Sequence, residues 1–325
     1  MKKRNTGRRD FIKEAIVTSG VILARSVIGE SCDSAISTVA AKDVAAEMVP
    51  MRRRSEERQV ELITKWDEST ELVSSKVYNQ YLHDGNTRGF KALDALEHAF
   101  DKVMREVKEA TVAVDVPAVW SLYNMGYVVK TRESLFTIDI KHRRDSEFAK
   151  MVDFALVTHN HPDHLNLDYV QRVAGRGKPV VTNFLGYTGY TRAKKVFKFN
   201  DVEVRTSLID HGGHLVDFTT AFEIRIGNFR LYHTGDSGRG TEPKLETVWG
   251  RPNLWLLFPG CGLNTLKAVE KIDANRIVFG HLWELGHAQG HRGRLDKPLI
   301  LSRLAEATAA GCKDVSVAFW GDRII

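Results

Sequence analysis

The chain has 325 residues, of which 43% are hydrophobic and 27% are charged, a balance typical of a soluble globular enzyme with a sizeable core. The 25 glycines and 8 prolines are too few for a fibrous or low-complexity protein, and 3 cysteines are too few for a disulfide-stabilised scaffold. No uncharged apolar run reaches the roughly 18 residues that a membrane-spanning helix needs. The net charge of +6 at pH 7 does not indicate a nucleic-acid partner, and we expect none.

The N-terminus has the pattern of an export signal. The run Gly7–Lys13 has the sequence Gly-Arg-Arg-Asp-Phe-Ile-Lys and resembles the twin-arginine signal. A mildly apolar stretch follows up to Gly29, interrupted by Arg25, and Thr38–Ala40 offers small residues for cleavage. The resemblance implies a signal peptide over residues 1–40, a periplasmic or otherwise exported protein, and no stable membrane insertion after processing. A basic tail on a cytosolic protein is the alternative.

Residues 41–110 are expected to form a linker and a helical extension. The segment 41–56 is polar, and the two stretches 60–81 and 90–107 have apolar residues at the three-to-four spacing of a helix. A His-Asp-Gly-Asn turn signal at 83–86 separates them. Such apolar stripes are typical of packing faces.

From residue 111 the pattern changes to that of a β-rich domain, which we place at 111–325. Short runs of β-branched and aromatic residues recur, and helical stretches alternate with them in the second half. The predicted strands are Ala118–Tyr123, Tyr127–Lys130, Leu135–Ile140, Val152–Thr158, Pro179–Thr182, Val202–Asp210, Phe218–Ile226, Phe229–His233, Leu254–Phe258, Arg276–Phe279 and Val315–Phe319. The predicted helices are Leu167–Ala174, Thr265–Lys271 and Lys297–Ala309. This order predicts sheets covered by helices.

The sharpest chemical feature is the segment 158–164, with sequence Thr-His-Asn-His-Pro-Asp-His, which follows a predicted strand. Imidazole and carboxylate groups are ligands for zinc and similar divalent ions. In an extended segment His159 and His161 point the same way and can hold one ion. Pro162 turns the chain, so that Asp163 and His164 can face a second ion. A surface histidine cluster is the alternative.

One segment cannot supply all the ligands of two ions, so further donors must come from downstream. His211, Asp236 and His281 each follow a predicted strand, but His214 lies three residues after His211 and competes with it. Donors at successive strand ends converge on one rim of a sheet sandwich. An exposed loop position is the alternative for each of them.

In chain order, the His-x-His-x-Asp-His motif, a later His, a Gly-Asp pair and a Gly-His pair resemble the metallo-β-lactamase superfamily. The resemblance covers about residues 115–322. The segments 158–164 and 232–236 are most similar to the branch that contains L-ascorbate-6-phosphate lactonase. The family implies an α+β fold, here a four-layer αββα sandwich that follows the N-terminal helical extension, with a dinuclear metal site between the sheets.

The resemblance also implies roles for individual residues. The implied ligands are His159, His161 and His211 for the first ion, Asp163, His164 and His281 for the second, and Asp236 as the bridge. Asp139 matches an acidic residue that supports the ligands without binding metal. The candidate catalytic residues are Asp163, Asp236 and His214. The expected cofactors are two divalent ions, with zinc expected, although these ligands also suit manganese and iron.

The family chemistry is metal-assisted hydrolysis by a hydroxide that bridges the two ions, because coordination lowers the pKa of water from 15.7 to about 7. Two divalent ions and three anions would leave the site with a charge of about +1, which favours a small anionic ester, lactone or phosphodiester as substrate. The alternatives are a non-catalytic metal- or ligand-binding protein of the same fold and, less favoured, a β-lactamase. The sequence leaves the oligomeric state open.

The run Gly280–Arg294 and one cysteine add candidates for the wall of the pocket. The acid–base or substrate-contact candidates are His287 and His291, and the candidate anion clamps are Arg292 and Arg294. A solvated polar loop is the alternative. Cys261 follows a predicted strand and either lines the cavity or serves as a small packing residue.

Overall fold

The computed structural model describes residues 54–325. The twin-arginine run and the rest of the predicted signal peptide lie outside these residues. Of the helices in the described part, none is long and apolar enough to cross a membrane.

Three helices open the described chain, where the sequence pattern predicts two. They are α1 (Glu56–Glu71), α2 (Ser75–Asp84) and α3 (Lys91–Glu109). The predicted helix over 60–81 is wrong in its continuity, because Ser74 starts a new helix by accepting a hydrogen bond from the backbone nitrogen of Val77 at 3.3 Å. The predicted turn at 83–86 is confirmed, since α2 ends at Gly85 with φ 72°.

The first sheet has six strands in sequential order. They are β1 (Ala118–Ser121), β2 (Tyr127–Lys130), β3 (Leu135–Ile138), β4 (Phe154–Leu156), β5 (Val180–Thr182) and β6 (Gly189–Tyr190). The β1, β2 and β3 strands pair antiparallel, and β3 to β6 pair parallel. Helix α4 (Leu167–Ala174) connects β4 to β5.

The second sheet has seven strands, also in sequential order. They are β7 (Lys195–Phe199), β8 (Val202–Ile209), β9 (Thr219–Ile226), β10 (Phe229–His233), β11 (Leu254–Leu257), β12 (Ile277–Phe279) and β13 (Val315–Val317). The β7 to β10 strands pair antiparallel, and β10 to β13 pair parallel. Helices α5 (Thr265–Ile272) and α6 (Lys297–Ala309) lie between the parallel strands in the chain.

Side chains that alternate along the strands divide the core between two regions. On β2, Val128 packs against the apolar faces of α3 and α4, whereas Val129 packs into the cluster that also contains the second sheet. Helices α5 and α6, together with the apolar side chains of α1, join that larger cluster. The predicted sandwich of two sheets covered by helices is therefore confirmed, and the helical extension packs into the same core as the sheets.

The predicted strands match the observed ones, with ends that differ by up to two residues. Two strands were not predicted, β6 and β7. Both lie at sheet edges, and the side chains of β7 are largely exposed, so neither has the apolar alternation of a half-buried strand.

Candidate metal centre

The rim of the sandwich is formed by loops that follow strands of both sheets. The motif 158–164 follows β4 of the first sheet, whereas His211, Asp236 and His281 follow β8, β10 and β12 of the second sheet. The structure brings all seven predicted ligands together there in two adjoining groups of donor atoms.

The first group consists of His159, His161 and His211, whose ring nitrogens lie within 4.8 Å of one another. The ring centroids are 4.6 Å apart for His159 and His161, and 4.5 Å apart for His161 and His211. Phe218 packs beside all three rings at 5.0–5.8 Å. The apolar ring holds the imidazoles in place without competing for their nitrogens.

The second group consists of Asp163, His164, Asp236 and His281, again with donor atoms within 4.8 Å of one another. The Nε2 atom of His281 lies 2.8 Å from Oδ2 of Asp163, and Nε2 of His164 lies 3.4 Å from the same oxygen. His164 and His281 are almost completely buried, so these contacts form in a region from which most water is excluded.

Asp236 is the member of the second group that also reaches the first. Its Oδ1 is 3.1 Å from Nε2 of His164, and its Oδ2 is 3.4 Å from Nε2 of His281 and 3.4 Å from Nε2 of His211, which belongs to the first group. The chain reaches this position through Gly235, which has φ 48°. A Cβ atom on Gly235 would lie 2.8 Å from the hydroxyl of Thr158, so only glycine fits this turn.

Asp139 fixes the orientation of two histidines. Its Oδ1 accepts a hydrogen bond from the backbone nitrogen of Thr158 at 2.7 Å, and its Oδ2 accepts one from the Thr158 hydroxyl at 2.6 Å. The Nδ1 of His164 lies 3.0 Å from the same Oδ2 and donates to it. The Thr158 hydroxyl, having donated its own proton, accepts from Nδ1 of His159 at 2.9 Å. Because Nδ1 of each ring carries the proton, Nε2 of each ring presents its lone pair to the other donor atoms of its group.

The electrostatics of the two groups favour a cation. Burial lowers the pKa of His159, and burial together with His211 lowers the pKa of His161 to about 4. Burial disfavours the charged forms of Asp163 and Asp236, but the neighbouring His164 outweighs it, so both carboxyl pKa values lie well below their usual range. These carboxylates raise the pKa of His164 well above its ordinary value despite its burial. A metal ion would take the place of that proton.

Of the two competing histidines, the structure brings His211 to the first group and leaves His214 outside both groups. His214 is exposed and lines the mouth of the adjoining cavity. The β8 strand ends at Ile209, directly before Asp210 and His211. Lys244 holds this loop, because its Nζ contacts Asp210 at 2.6 Å and Asp217 at 2.7 Å.

A cavity of about 540 Å³ opens onto the donor groups. The polar residues of its wall outside those groups are His214, Arg239, Cys261, His287, His291 and Arg292. The Sγ atom of Cys261 lies within 4.8 Å of donor atoms of His211 and Asp236, which supports the cavity-lining alternative. Of the two predicted anion clamps, Arg294 is wrong, because it is buried and paired with Asp296 at 2.8 Å.

Arg239 was not predicted as a cavity residue. It is exposed and lies three residues after Asp236. Its loop passes against the backbone of His211, which is possible because residue 238 is glycine: a Cβ atom there would lie 2.1 Å from the carbonyl oxygen of His211. The Gly-x-Gly spacing around Gly238 and Gly240 signals such a close turn, but it does not indicate which side chain faces the cavity.

The comparisons agree with this architecture. Residues 104–275 match the family model described as "Beta-lactamase superfamily domain", so the chain belongs to the metallo-β-lactamase superfamily. The matched range contains six of the seven predicted ligands, and only His281 lies beyond it. No curated protein matches the chain in sequence.

Solved structures match the fold at low sequence identity. A possible metal-dependent hydrolase from Veillonella parvula is 12% identical, with a TM-score of 0.50 over 64% of this chain and 98% of its own. A metallo hydrolase from Ignicoccus hospitalis is 16% identical, with a TM-score of 0.49 over 64% of this chain and 97% of its own. An isothiocyanate hydrolase from Delia radicum gut bacteria is 14% identical, with a TM-score of 0.47 over 64% and 98%. At these identities the likeness is one of fold.

Proposed function

We propose that this protein is a hydrolase that depends on two divalent metal ions. The observation that carries the proposal is the convergence of two donor groups, three histidines in one and two carboxylates with two histidines in the other, on a single cavity. His159, His161 and His211 would hold one ion, and Asp163, His164 and His281 the other. The alternative of a surface histidine cluster does not explain why carboxylates lie at hydrogen-bond distance from buried imidazoles.

The donor atoms fit such ions. Several of their buried polar atoms have no hydrogen-bond partner among the described residues, and burying such atoms is costly. These atoms are Nε2 of His159, His164 and His211, and Oδ1 of Asp236. Ions bound there would polarise a substrate oxygen and lower the pKa of a coordinated water towards 7.

The case for two ions rests on Asp236. Two divalent cations a few Å apart repel strongly, and a carboxylate between them offsets that repulsion. Oδ1 of Asp236 lies 3.1 Å from Nε2 of His164, and its Oδ2 lies 3.4 Å from Nε2 of His211 and 3.4 Å from Nε2 of His281, so this one carboxylate reaches donor atoms of both groups. With Asp163, it supplies the only negative charge among the described residues that line the cavity.

The cavity wall supports an anionic substrate. Outside the donor groups its ionisable residues are two arginines, three histidines and one cysteine, with no carboxylate. Burial raises the pKa of the Cys261 thiol. Arg239 and Arg292 would bind a carboxylate or phosphate of a small ester, lactone or phosphodiester. A nucleic acid is not the partner that we propose.

The finer assignments are part of the same proposal. We propose zinc as the natural ion, with manganese or iron as alternatives for the same ligands. The likeness of segments 158–164 and 232–236 to the lactonase branch favours a lactone or ester substrate. Export through the twin-arginine route is consistent with a metalloenzyme, because that route carries proteins that have already folded around their ions.

One experiment tests the function. The protein is purified, its metal content is measured, and hydrolysis of a carboxylate-bearing lactone, an anionic aryl ester and an aryl phosphodiester is followed before and after chelation. We expect close to two ions per chain and turnover that chelation abolishes and divalent ions restore. Two bound ions without turnover of any of these substrates would instead favour a non-catalytic binding protein.

A further inference from the structure

A buried carboxylate lies behind one of the histidines of the cavity wall. Oε2 of Glu284 accepts a hydrogen bond from Nδ1 of His287 at 2.7 Å and another from the His287 backbone nitrogen at 2.7 Å. Its Oε1 accepts from the backbone nitrogen of Gly286 at 2.6 Å and from the Tyr123 hydroxyl at 3.3 Å. The Glu284 side chain is 2% exposed, whereas His287 is 41% exposed and faces the cavity.

We propose that His287 is the group that donates a proton to the leaving oxygen of the substrate, and that Glu284 positions it. The inference rests on the hydrolase function proposed above and adds the residue that completes the reaction. Neither Glu284 nor His287 belongs to the two donor groups, so the pair is free for this second task.

The hydrogen bonds leave one atom of His287 available. Its Nδ1 is engaged by Glu284, whereas its Nε2 makes no hydrogen bond with any described residue. The backbone of His287 is held by the same carboxylate, and the Tyr123 hydroxyl that donates to Glu284 also accepts from the backbone nitrogen of Leu285 at 2.7 Å. The imidazole is therefore supported on a fixed frame, as a group that must meet a substrate atom requires.

The surroundings favour a charged imidazole on His287. The hydrogen bond that His287 donates to Glu284 is the largest effect and raises the pKa of His287. Asp163 and His281 also act on His287, and Arg292 acts on the neighbouring His291. His291 stacks on His287 with ring centroids 4.2 Å apart and planes 2° apart, and burial together with the charge on His287 lowers the pKa of His291. Of the two stacked rings, His287 is therefore the one whose surroundings favour protonation.

In the proposed step, one bond to the substrate forms, one breaks, and His287 supplies a proton to the leaving oxygen. The oxygen of the attacking water forms a bond to the carbonyl carbon or the phosphorus, and the bond to the leaving oxygen breaks with its electron pair retained by that oxygen. The Nε2 proton of His287 passes to this oxygen, which departs as an alcohol. The proton lost by the water reaches solvent at the open end of the cavity, from which His287 regains one. No oxidant, reductant or further reactant is needed.

A comparison of leaving groups tests the role of His287. Two anionic esters with the same acyl part are used, one with a p-nitrophenyl and one with an alkyl leaving group, on metal-loaded wild type and His287→Gln. We expect kcat/KM for the alkyl ester to fall about 100-fold or more, and that for the p-nitrophenyl ester to change little, because p-nitrophenolate departs without a proton. His83→Gln, at an exposed position of α2, is the control and leaves both rates unchanged.

A titration tests the role of Glu284 without a rate measurement. The imidazole signals of His287 are followed by NMR against pH in wild type, Glu284→Gln and Tyr123→Phe. We expect its pKa to fall in Glu284→Gln, and the alkyl-ester rate to fall with it, whereas Tyr123→Phe, which leaves the carboxylate charge in place, gives a smaller shift. The second variant keeps the test valid if Glu284→Gln does not fold.

The outcomes separate the two proposals. Equal losses on both esters, or no loss on either, in an active enzyme would overturn the role of His287 and leave the hydrolase function standing. An unchanged His287 pKa in a folded Glu284→Gln would overturn the role of Glu284. If the metal-loaded wild type hydrolyses no substrate, the proposed function fails and this inference fails with it.

Discussion

Asp67 in α1 accepts a hydrogen bond from the indole nitrogen of Trp283 at 3.1 Å and another from the backbone nitrogen of Lys297 at 2.7 Å. Trp283 lies two residues after His281, and Trp66 stacks on it with ring centroids 5.9 Å apart. The first helix thus holds both ends of the loop 281–296, which brings His281 to the donor groups and His287 to the cavity. This gives the N-terminal helices a role beyond covering apolar surface.

We therefore expect Asp67→Ala to destabilise the protein and disturb the centre. The buried Trp283 nitrogen loses its partner, which costs about 1–3 kcal/mol of the free energy of unfolding. Urea unfolding measures this loss, and metal titration measures the affinity of the second donor group, to which His281 belongs. Glu68→Ala changes the adjacent exposed carboxylate and is the control. Equal stability of the two variants would show that Asp67 does not hold the loop.

The choice between His211 and His214 gives a matched pair of variants. His211 lies with His159 and His161, whereas His214 is exposed at the cavity mouth. We expect His211→Ala to weaken binding of one ion by more than about tenfold, since loss of a supporting group alone has an effect of that size. His214→Ala should retain both ions, and any defect should appear in turnover. Isothermal titration with zinc distinguishes them, and a reversed result would assign the ligand to His214.

The candidate site could be predicted from sequence because its donors occupy positions that a strand end fixes locally. His159, His211 and Asp236 each follow a run of β-branched and aromatic residues, and the strands before them, β4, β8 and β10, end at a common rim. Glu284 has no such signal. Its role depends on Tyr123, which is 161 positions away in the chain, and the sequence alone does not reveal this contact.

The continuous helix over 60–81 and the clamp at Arg294 are wrong for the same kind of physical reason. The apolar spacing over 60–81 continues through the break at Leu72–Ser74, because α1 and α2 both bury apolar faces in the same core. The spacing of apolar residues carries no information about the N-cap at Ser74, which starts the second helix. Arg292 and Arg294 differ by two residues on a loop, where no periodic rule assigns one to the cavity and the other to a buried ion pair. Loop side chains are directed by tertiary contacts that have no sequence period.

Export remains a prediction, because the twin-arginine run lies outside the described residues. Replacing Arg8 and Arg9 together by lysine keeps the positive charge but removes the paired arginines, so we expect the precursor to accumulate in the cytoplasm of the native host. Fractionation and immunoblotting measure the distribution. Replacing Lys2 and Lys3 by arginine, outside the motif, is the control. Unchanged export of the double-lysine variant would contradict the signal.

Asp236 is the carboxylate that would bridge the two ions. Asp236→Asn removes one negative charge but keeps the size of a side chain that is 6% exposed, so the fold should survive, as circular dichroism can verify. Two divalent ions would then repel with less to offset the repulsion, and we expect one ion per chain instead of two and turnover lower by about 100-fold or more.

Asp168→Asn, on the exposed face of α4, is the control and should keep two ions and full rate. Metal analysis after dialysis and steady-state kinetics give both numbers. If Asp236→Asn keeps both ions and a near-normal rate, the negative charge that holds the ions together comes from another residue, and Asp163 becomes the first to examine because its Oδ2 lies within 3.4 Å of both His164 and His281.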